Sequence, residues 1–321
     1  MNLKKEIDWP VLMISGGLLV LFVLTSLINA DLVSNVVNYC FGLSVKYFGS
    51  FWQVLMLVTF FVAIGMAISN LGNIRLGNLD SPEMSTFRWI AIIMCTLLAG
   101  GGVFWAAAEP IYHFISSPPV FDGVDSASKS AVVPALSQSF MHWGFLAWAI
   151  LGTLSSVVLM YGHYNKGMPL KPRTLLYPIF GDKIMENSIL GTLVDSFSII
   201  AVAAGTIGPI GFLGLQAAYG LESLFGIPNV YLTQVFIIFG LVTVSAISAV
   251  SGIDKGIQIL SRFNIILTFI LVIAMIFLGP GGFIFDSFLN TIGVYTKDFL
   301  KMSLYRGDKS WLSSWTVFFW G

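Results

Sequence analysis

Charge is what this chain has least of. Asp, Glu, Lys and Arg together make up 10% of its 321 residues, against about 25% in a typical soluble domain. So few charges cannot cover the surface of a soluble fold of this size, which leaves lipid as the natural solvent. The two signs cancel, with 16 basic and 16 acidic residues, so the net charge gives no reason to expect nucleic acid. Cysteine is scarce as well. Cys40 and Cys95 stand alone in apolar surroundings, with neither the count of a disulfide framework nor the spacing of a metal site, and both read as small buried hydrophobes. Only three histidines occur. His142 falls inside an apolar stretch and His113 and His163 near the ends of such stretches, so His142 reads as a lone structural histidine with neither a nucleophile nor a metal ligand beside it.

What is abundant is apolar. Hydrophobic residues make up 56% of the chain, and its mean hydropathy is +0.87. A spanning helix needs roughly 20 apolar residues, and seven stretches qualify: 9–28, 51–69, 89–108, 140–161, 189–215, 231–250 and 264–278. An eighth begins at 311–321 and reaches about two turns, so the chain reads as a fragment ending in mid-span. Lys4 and Lys5 precede the first stretch as they would in a signal peptide. Its core is too long for one, however, and no small-x-small site follows, so it reads as an uncleaved helix.

With the N-terminus in the cytoplasm, the inner segments hold Lys4, Lys5, Arg75, Arg88, Lys166, Lys171, Arg173, Lys183, Lys255 and Arg262, ten of the 16 basic residues. The outer loops between helices hold Lys46 and Lys129. This asymmetry predicts an inside N-terminus. After the seventh stretch, Phe285, Phe288, Ile292, Tyr295, Phe299 and Met302 recur at three- and four-residue steps. That pattern predicts an amphipathic helix lying in the outer interface and capping the bundle.

Membrane proteins place function where helices are irregular. The third stretch carries Ala99-Gly100-Gly101-Gly102, where a break would offer carbonyls to a cation or amides to a carboxylate. Further on, Trp105, Glu109 and Tyr112 share a face by spacing, and Pro110 is expected to end regular hydrogen bonding there. Glu109 reads as a structural residue tying down the helix end. The fourth stretch is aromatic, with Phe140, Trp143, Phe145 and Trp148. A tryptophan face attracts a quaternary ammonium, which cannot donate hydrogen bonds; an interfacial belt explains the same residues equally well. The fifth stretch carries Gly205, Gly208, Gly211 and Gly214 with Pro209 among them, and Asp195 near its start is expected to cap the first amides.

Together these segments resemble the betaine/choline/carnitine transporter (BCCT) family. The likeness rests on Phe104-Trp105 through Glu109-Pro110-Ile111-Tyr112-His113 and on His142-Trp143-Gly144-Phe145-Leu146-Ala147-Trp148-Ala149. It continues through Lys166-Gly167-Met168-Pro169-Leu170, Leu176-Tyr177-Pro178, Gly205-Thr206 to Leu215-Gln216, and Trp315-Thr316-Val317-Phe318-Phe319-Trp320. The resemblance implies an all-α, polytopic membrane protein with a LeuT-like inverted-repeat fold whose C-terminal repeat is largely missing. Residues 1–80 would be two extra N-terminal helices, 81–281 the first five-helix repeat, 282–306 the interfacial helix and 311–321 the start of the eighth helix. It further implies secondary transport of a quaternary-ammonium or betaine-like solute (glycine betaine, choline, carnitine or an analogue) across the inner membrane, and no enzymatic activity. A sodium-independent exchanger of the same fold is the nearest alternative.

Carried over residue by residue, the resemblance makes Trp143 and Trp148 two walls of an aromatic box, with Leu151 where the family has a tyrosine. The family's remaining box tryptophan would fall just past Gly321. Ala99, Gly100, Gly101 and Gly102 would complete the substrate site. No cofactor is implied beyond a coupling sodium ion. One sodium site would use the broken third helix at Leu98 and Gly101. The other would use Thr206, where Val202 and Pro209 replace the family's other hydroxyls. The partners implied are the solute and the bilayer, with no nucleic acid; assembly into a homo-oligomer stays open. An ion channel is disfavoured by the lack of a ring of intramembrane charge or a carbonyl filter signature.

Overall fold

A computed structural model describes residues 7–97, 100–186, 188–252 and 256–320, with the side chains of 96–103 and 151–156 excepted. The described chain is helical and contains no strand among those residues. Among the described residues, five helices are long and apolar enough to cross a membrane: α1 (Trp9–Ile28), α2 (Ala30–Ile68), α8 (Ile189–Phe225), α9 (Tyr231–Val250) and α10 (Gln258–Leu278). The fourth expected span arrives divided, and the third is described on either side of residues 98–99. The third is α3 (Thr86–Leu97) followed by α4 (Gly100–Ile115). The fourth is α5 (Val132–Trp143), α6 (Phe145–Thr153), a π-helical stretch Leu154–Met160, and α7 (Tyr161–Lys166).

Several boundaries differ from the sequence expectation, each for a local reason. Helix α2 starts 21 residues before residue 51 because Asn29 caps it, its side chain accepting from the Leu32 N–H at 2.9 Å. Its 39 residues reach about 58 Å at 1.5 Å per residue, well beyond a bilayer core of about 30 Å. Helix α4 does not end at Pro110 but continues to Ile115 with the proline inside it. Helix α8 extends to Phe225, where Gly226 takes a left-handed conformation (φ 69°) and closes the helix. Cys40 is exposed on α2 rather than buried.

Polar side chains tie the helices together where they leave the apolar zone. Asp195 does not cap α8; Ser188 does, accepting from the Gly191 N–H at 3.1 Å. The Asp195 carboxylate instead accepts from the Arg173 backbone N–H at 2.8 Å and from its Nε at 2.6 Å, both residues being buried. Asp8, just before α1, receives Lys171 Nζ at 3.0 Å and lies 3.6 Å from Arg173 Nη2. The Lys171 hydrogen bond holds the Asp8 carboxyl below the usual range. This network joins the start of α1 to α8, which pack together. On another side, buried Gln53 of α2 donates to the carbonyls of Ser303 and Tyr305 and accepts from Arg306.

The amphipathic segment folds as α11 (Gly281–Lys297) and α12 (Phe299–Ser303), and α11 packs on α5. The segment from 311 onward is two short helices, α13 (Lys309–Ser314) and α14 (Thr316–Trp320), with a kink at Trp315. Helix α14 packs against α2 and α5. The core of the described chain is Met56, Val120, Met141, Leu146, Tyr295, Met302 and Trp320.

Candidate functional site

The fourth span breaks at Gly144, whose backbone (φ −90°, ψ −132°) leaves the helix directly after Trp143. Only glycine fits. A Cβ there would lie 2.3 Å from the Phe140 carbonyl oxygen and 2.9 Å from the Tyr295 hydroxyl. The break leaves the Phe145 N–H without a helical acceptor, and the Tyr295 hydroxyl takes it at 3.0 Å. Burial pushes the Tyr295 phenol up to about 12, so it stays a neutral hydroxyl at physiological pH. Helix α11 therefore fixes the break, and the break sets Trp143 and Trp148 on two separate helical segments.

These two tryptophans share a cavity of about 560 Å³ bounded by α4, α5, α6 and α11, within the size range of small-molecule sites. Trp105, Trp143, Trp148 and Tyr295 supply aromatic surface, and no charged side chain lines it among the described residues. Trp105 is further packed by Phe212 at 6.2 Å and Phe319 at 5.3 Å between ring centroids. Such a wall suits a cation held by ring faces rather than by a carboxylate.

Behind Trp143 lies a buried polar cluster. Glu109 Oε2 accepts from the Trp143 indole N–H at 2.6 Å. Glu109 Oε1 faces His142 Nδ1 at 2.5 Å and His113 Nε2 at 3.1 Å. His142 Nε2 lies 3.1 Å from both Gln138 Nε2 and Thr316 Oγ1, and the His142 carbonyl accepts from Trp320 Nε1 at 3.2 Å. Glu109, His113 and His142 are each at most 1% exposed. His142 is thus not the partnerless histidine that the sequence suggested. Glu109, His113 and His142 place their ligand atoms within 4.8 Å of one another, an arrangement that could hold a metal ion. Three N–H donors, from His113, His142 and Trp143, already suffice for the carboxylate.

The other expected site residues are less closely gathered. Leu98 and Ala99 lie outside the described residues. Gly100, Gly101 and Gly102 are helical and belong to α4. Trp105, four residues past Gly101, is where α4 meets the cavity. Leu151 falls on α6, its side chain outside the described set. Thr206 is exposed on α8 and donates its hydroxyl to the Val202 carbonyl at 2.7 Å. With Val202 and Pro209 beside it, that face offers one side-chain oxygen, a poor fit to a sodium site. Tyr112, grouped by spacing with Trp105 and Glu109, is instead half exposed and packs near Trp315 at 5.8 Å.

Sequence reasoning missed Tyr295 as the partner of the Gly144 break and missed the Glu109–His113–His142 cluster. The i, i+4 spacing of Glu109 and His113 was a legible signal for half of that cluster. Their meeting with His142, 33 residues from Glu109, is purely tertiary.

The model of the family described as "BCCT, betaine/carnitine/choline family transporter" matches residues 10–321. The "Glycine betaine transporter 2" of Vibrio parahaemolyticus serotype O3:K6 (strain RIMD 2210633) is 55% identical over 318 residues, covering 99% of this chain and 58% of that protein. The "Glycine betaine transporter OpuD" of Bacillus subtilis (strain 168) is 33% identical over 98% of this chain and 61% of its own length. The "High-affinity choline transport protein" of Escherichia coli (strain K12) is 31% identical over 99% of this chain and 46% of its own length. The chain thus spans less than two thirds of each of these relatives.

Proposed function

We infer, from the premise that this chain belongs to the betaine/carnitine/choline family of transporters, that it forms the substrate-binding part of a secondary transporter for a small quaternary-ammonium solute. The observation that carries this reading is the cavity at the Gly144 break, walled by Trp105, Trp143 and Trp148 and free of lining charges among the described residues. A trimethylammonium group offers no N–H to a carboxylate, and ring faces bind it through their negative quadrupole. The names of the relatives, glycine betaine and choline transporters, support the same solute class.

In this reading the protein is a multi-pass resident of the cytoplasmic membrane with its N-terminus inside, as the Lys/Arg asymmetry suggests. Residues 81–281 are the first repeat of an inverted-repeat fold of the LeuT type. Sodium, if it couples, acts at the glycine-rich start of α4 rather than on α8. Sodium-independent exchange by the same fold remains the competing mode.

The test is uptake. Cells lacking endogenous betaine and choline transport, expressing the complete reading frame, should accumulate radiolabelled glycine betaine or choline saturably. Uptake of neither solute, or of both without saturation, would contradict the reading.

A further inference from the structure

Trp143 can serve a cation only through its face, so whatever fixes the rotation of the ring fixes the site. The one polar atom of that ring is gripped by Glu109 Oε2 at 2.6 Å. The carboxylate is itself immobilised. Its other oxygen accepts from His142 and His113, and none of its surface is exposed. His142 is fixed in turn, with Gln138 and Thr316 at 3.1 Å from its Nε2, while the His113 ring lies 4.5 Å from that of Trp315. The ring is therefore held from α4, α5 and α14 at once.

Burying a carboxylate among apolar helices is costly, and an amide could make the same hydrogen bond to the indole. What an amide lacks is negative charge. An anionic acceptor on an indole N–H pushes electron density into the ring and makes its face more negative, and buried hydrogen-bond chains polarise one another in this way. A more negative face binds a cation more strongly and leaves a neutral ligand of the same shape unaffected.

We propose that Glu109 is a positioning residue for Trp143, orienting the indole and enriching its face so that the cavity prefers a quaternary ammonium over a neutral group of equal shape. This rests on the transport reading above, and the two fail differently. The ligand pair that separates them is glycine betaine and 3,3-dimethylbutanoate, in which a quaternary carbon replaces the nitrogen.

Binding of both ligands is measured by calorimetry on protein purified from the complete reading frame in nanodiscs. Glu109→Gln should weaken glycine betaine by roughly 3- to 10-fold while weakening the isostere, an anion whose tert-butyl head carries no charge, by less than about 2-fold, as one lost electrostatic contribution to the head requires. Replacing the Trp143 ring by its sulfur isostere, 3-benzothienylalanine, removes only the N–H and should lower the preference in the same way. That variant also serves should Glu109→Gln fail to fold. In the 3-benzothienylalanine background, Glu109→Gln should have no further effect on the ratio. Equal weakening of both ligands, or an undiminished Glu109→Gln effect in that background, would show that Glu109 only holds helices together and would overturn the proposal. A wild type that binds neither glycine betaine nor choline would overturn the transport reading itself.

Discussion

Trp143→Ala should weaken binding of a quaternary-ammonium solute much more than Trp148→Ala. The two rings line one cavity but sit in different surroundings. Trp143 is partly buried, packed edge-on to Phe319 at 5.1 Å and anchored through its N–H. Trp148 is 38% exposed. A desolvated cation–π contact is worth about 2 kcal/mol and an exposed one about 0.5–1 kcal/mol. These convert to roughly 30-fold for Trp143 and roughly 2- to 5-fold for Trp148. Trp143→Ala also strips Glu109 Oε2 of its donor, leaving a buried acceptor unpaired at a cost of about 1–3 kcal/mol in stability. Trp143→Phe, which keeps a ring face, should therefore recover part of the affinity but little of the stability. Equilibrium binding of glycine betaine, with thermal unfolding in parallel, separates the two quantities. Alanine variants that both bind like the wild type, or a larger loss at Trp148, would refute the reasoning.

Other perturbations follow from the same contacts. Gly144→Ala forces a Cβ to 2.3 Å from the Phe140 oxygen and should cost at least about 1–3 kcal/mol, the usual range for overpacking, measured as a lowered unfolding midpoint together with lost solute binding. Asp195→Ala leaves the buried Arg173 guanidinium with only Asp8, at 3.6 Å, and should destabilise by about 3–5 kcal/mol; replacing Arg173 and Asp195 together by apolar residues should cost less, and thermal unfolding of the three variants checks this. For coupling, uptake in proteoliposomes should show a sodium Hill coefficient near one, or no sodium dependence, because Val202 and Pro209 add no hydroxyl beside Thr206. A coefficient near two that Thr206→Ala abolishes would show that a site on α8 survives.

The class of the fold was legible in the sequence because apolar length alone decides it: α1 and α9 fall on the expected spans Trp9–Ile28 and Tyr231–Val250. The extension of α2 back to Ala30 was not, because Asp31, Asn35, Asn38 and Lys46 interrupt the hydrophobic run without interrupting the backbone hydrogen bonding. The division of the fourth span at Gly144 was hidden for a related reason. A lone glycine inside an aromatic run looks tolerable in a helix, and only the approach of Tyr295 from α11 shows that the chain must break there. The two tryptophans were readable as a cation-binding pair but equally as an interfacial belt; that they line one cavity with Trp105 is a tertiary fact. Glu109 was visible as a structural glutamate, whereas its grip on Trp143 depends on α4 and α5 lying side by side.

The central claim is that the cavity at the Gly144 break receives the cationic head of the solute. A cryo-electron microscopy map of the protein from its complete reading frame, at saturating glycine betaine, tests it most directly. The account predicts density for the trimethylammonium group within about 6 Å of the Trp143 and Trp148 ring centroids, bounded on the α4 side by Trp105. Ligand density elsewhere in the protein, with this cavity empty or filled by lipid, would contradict it.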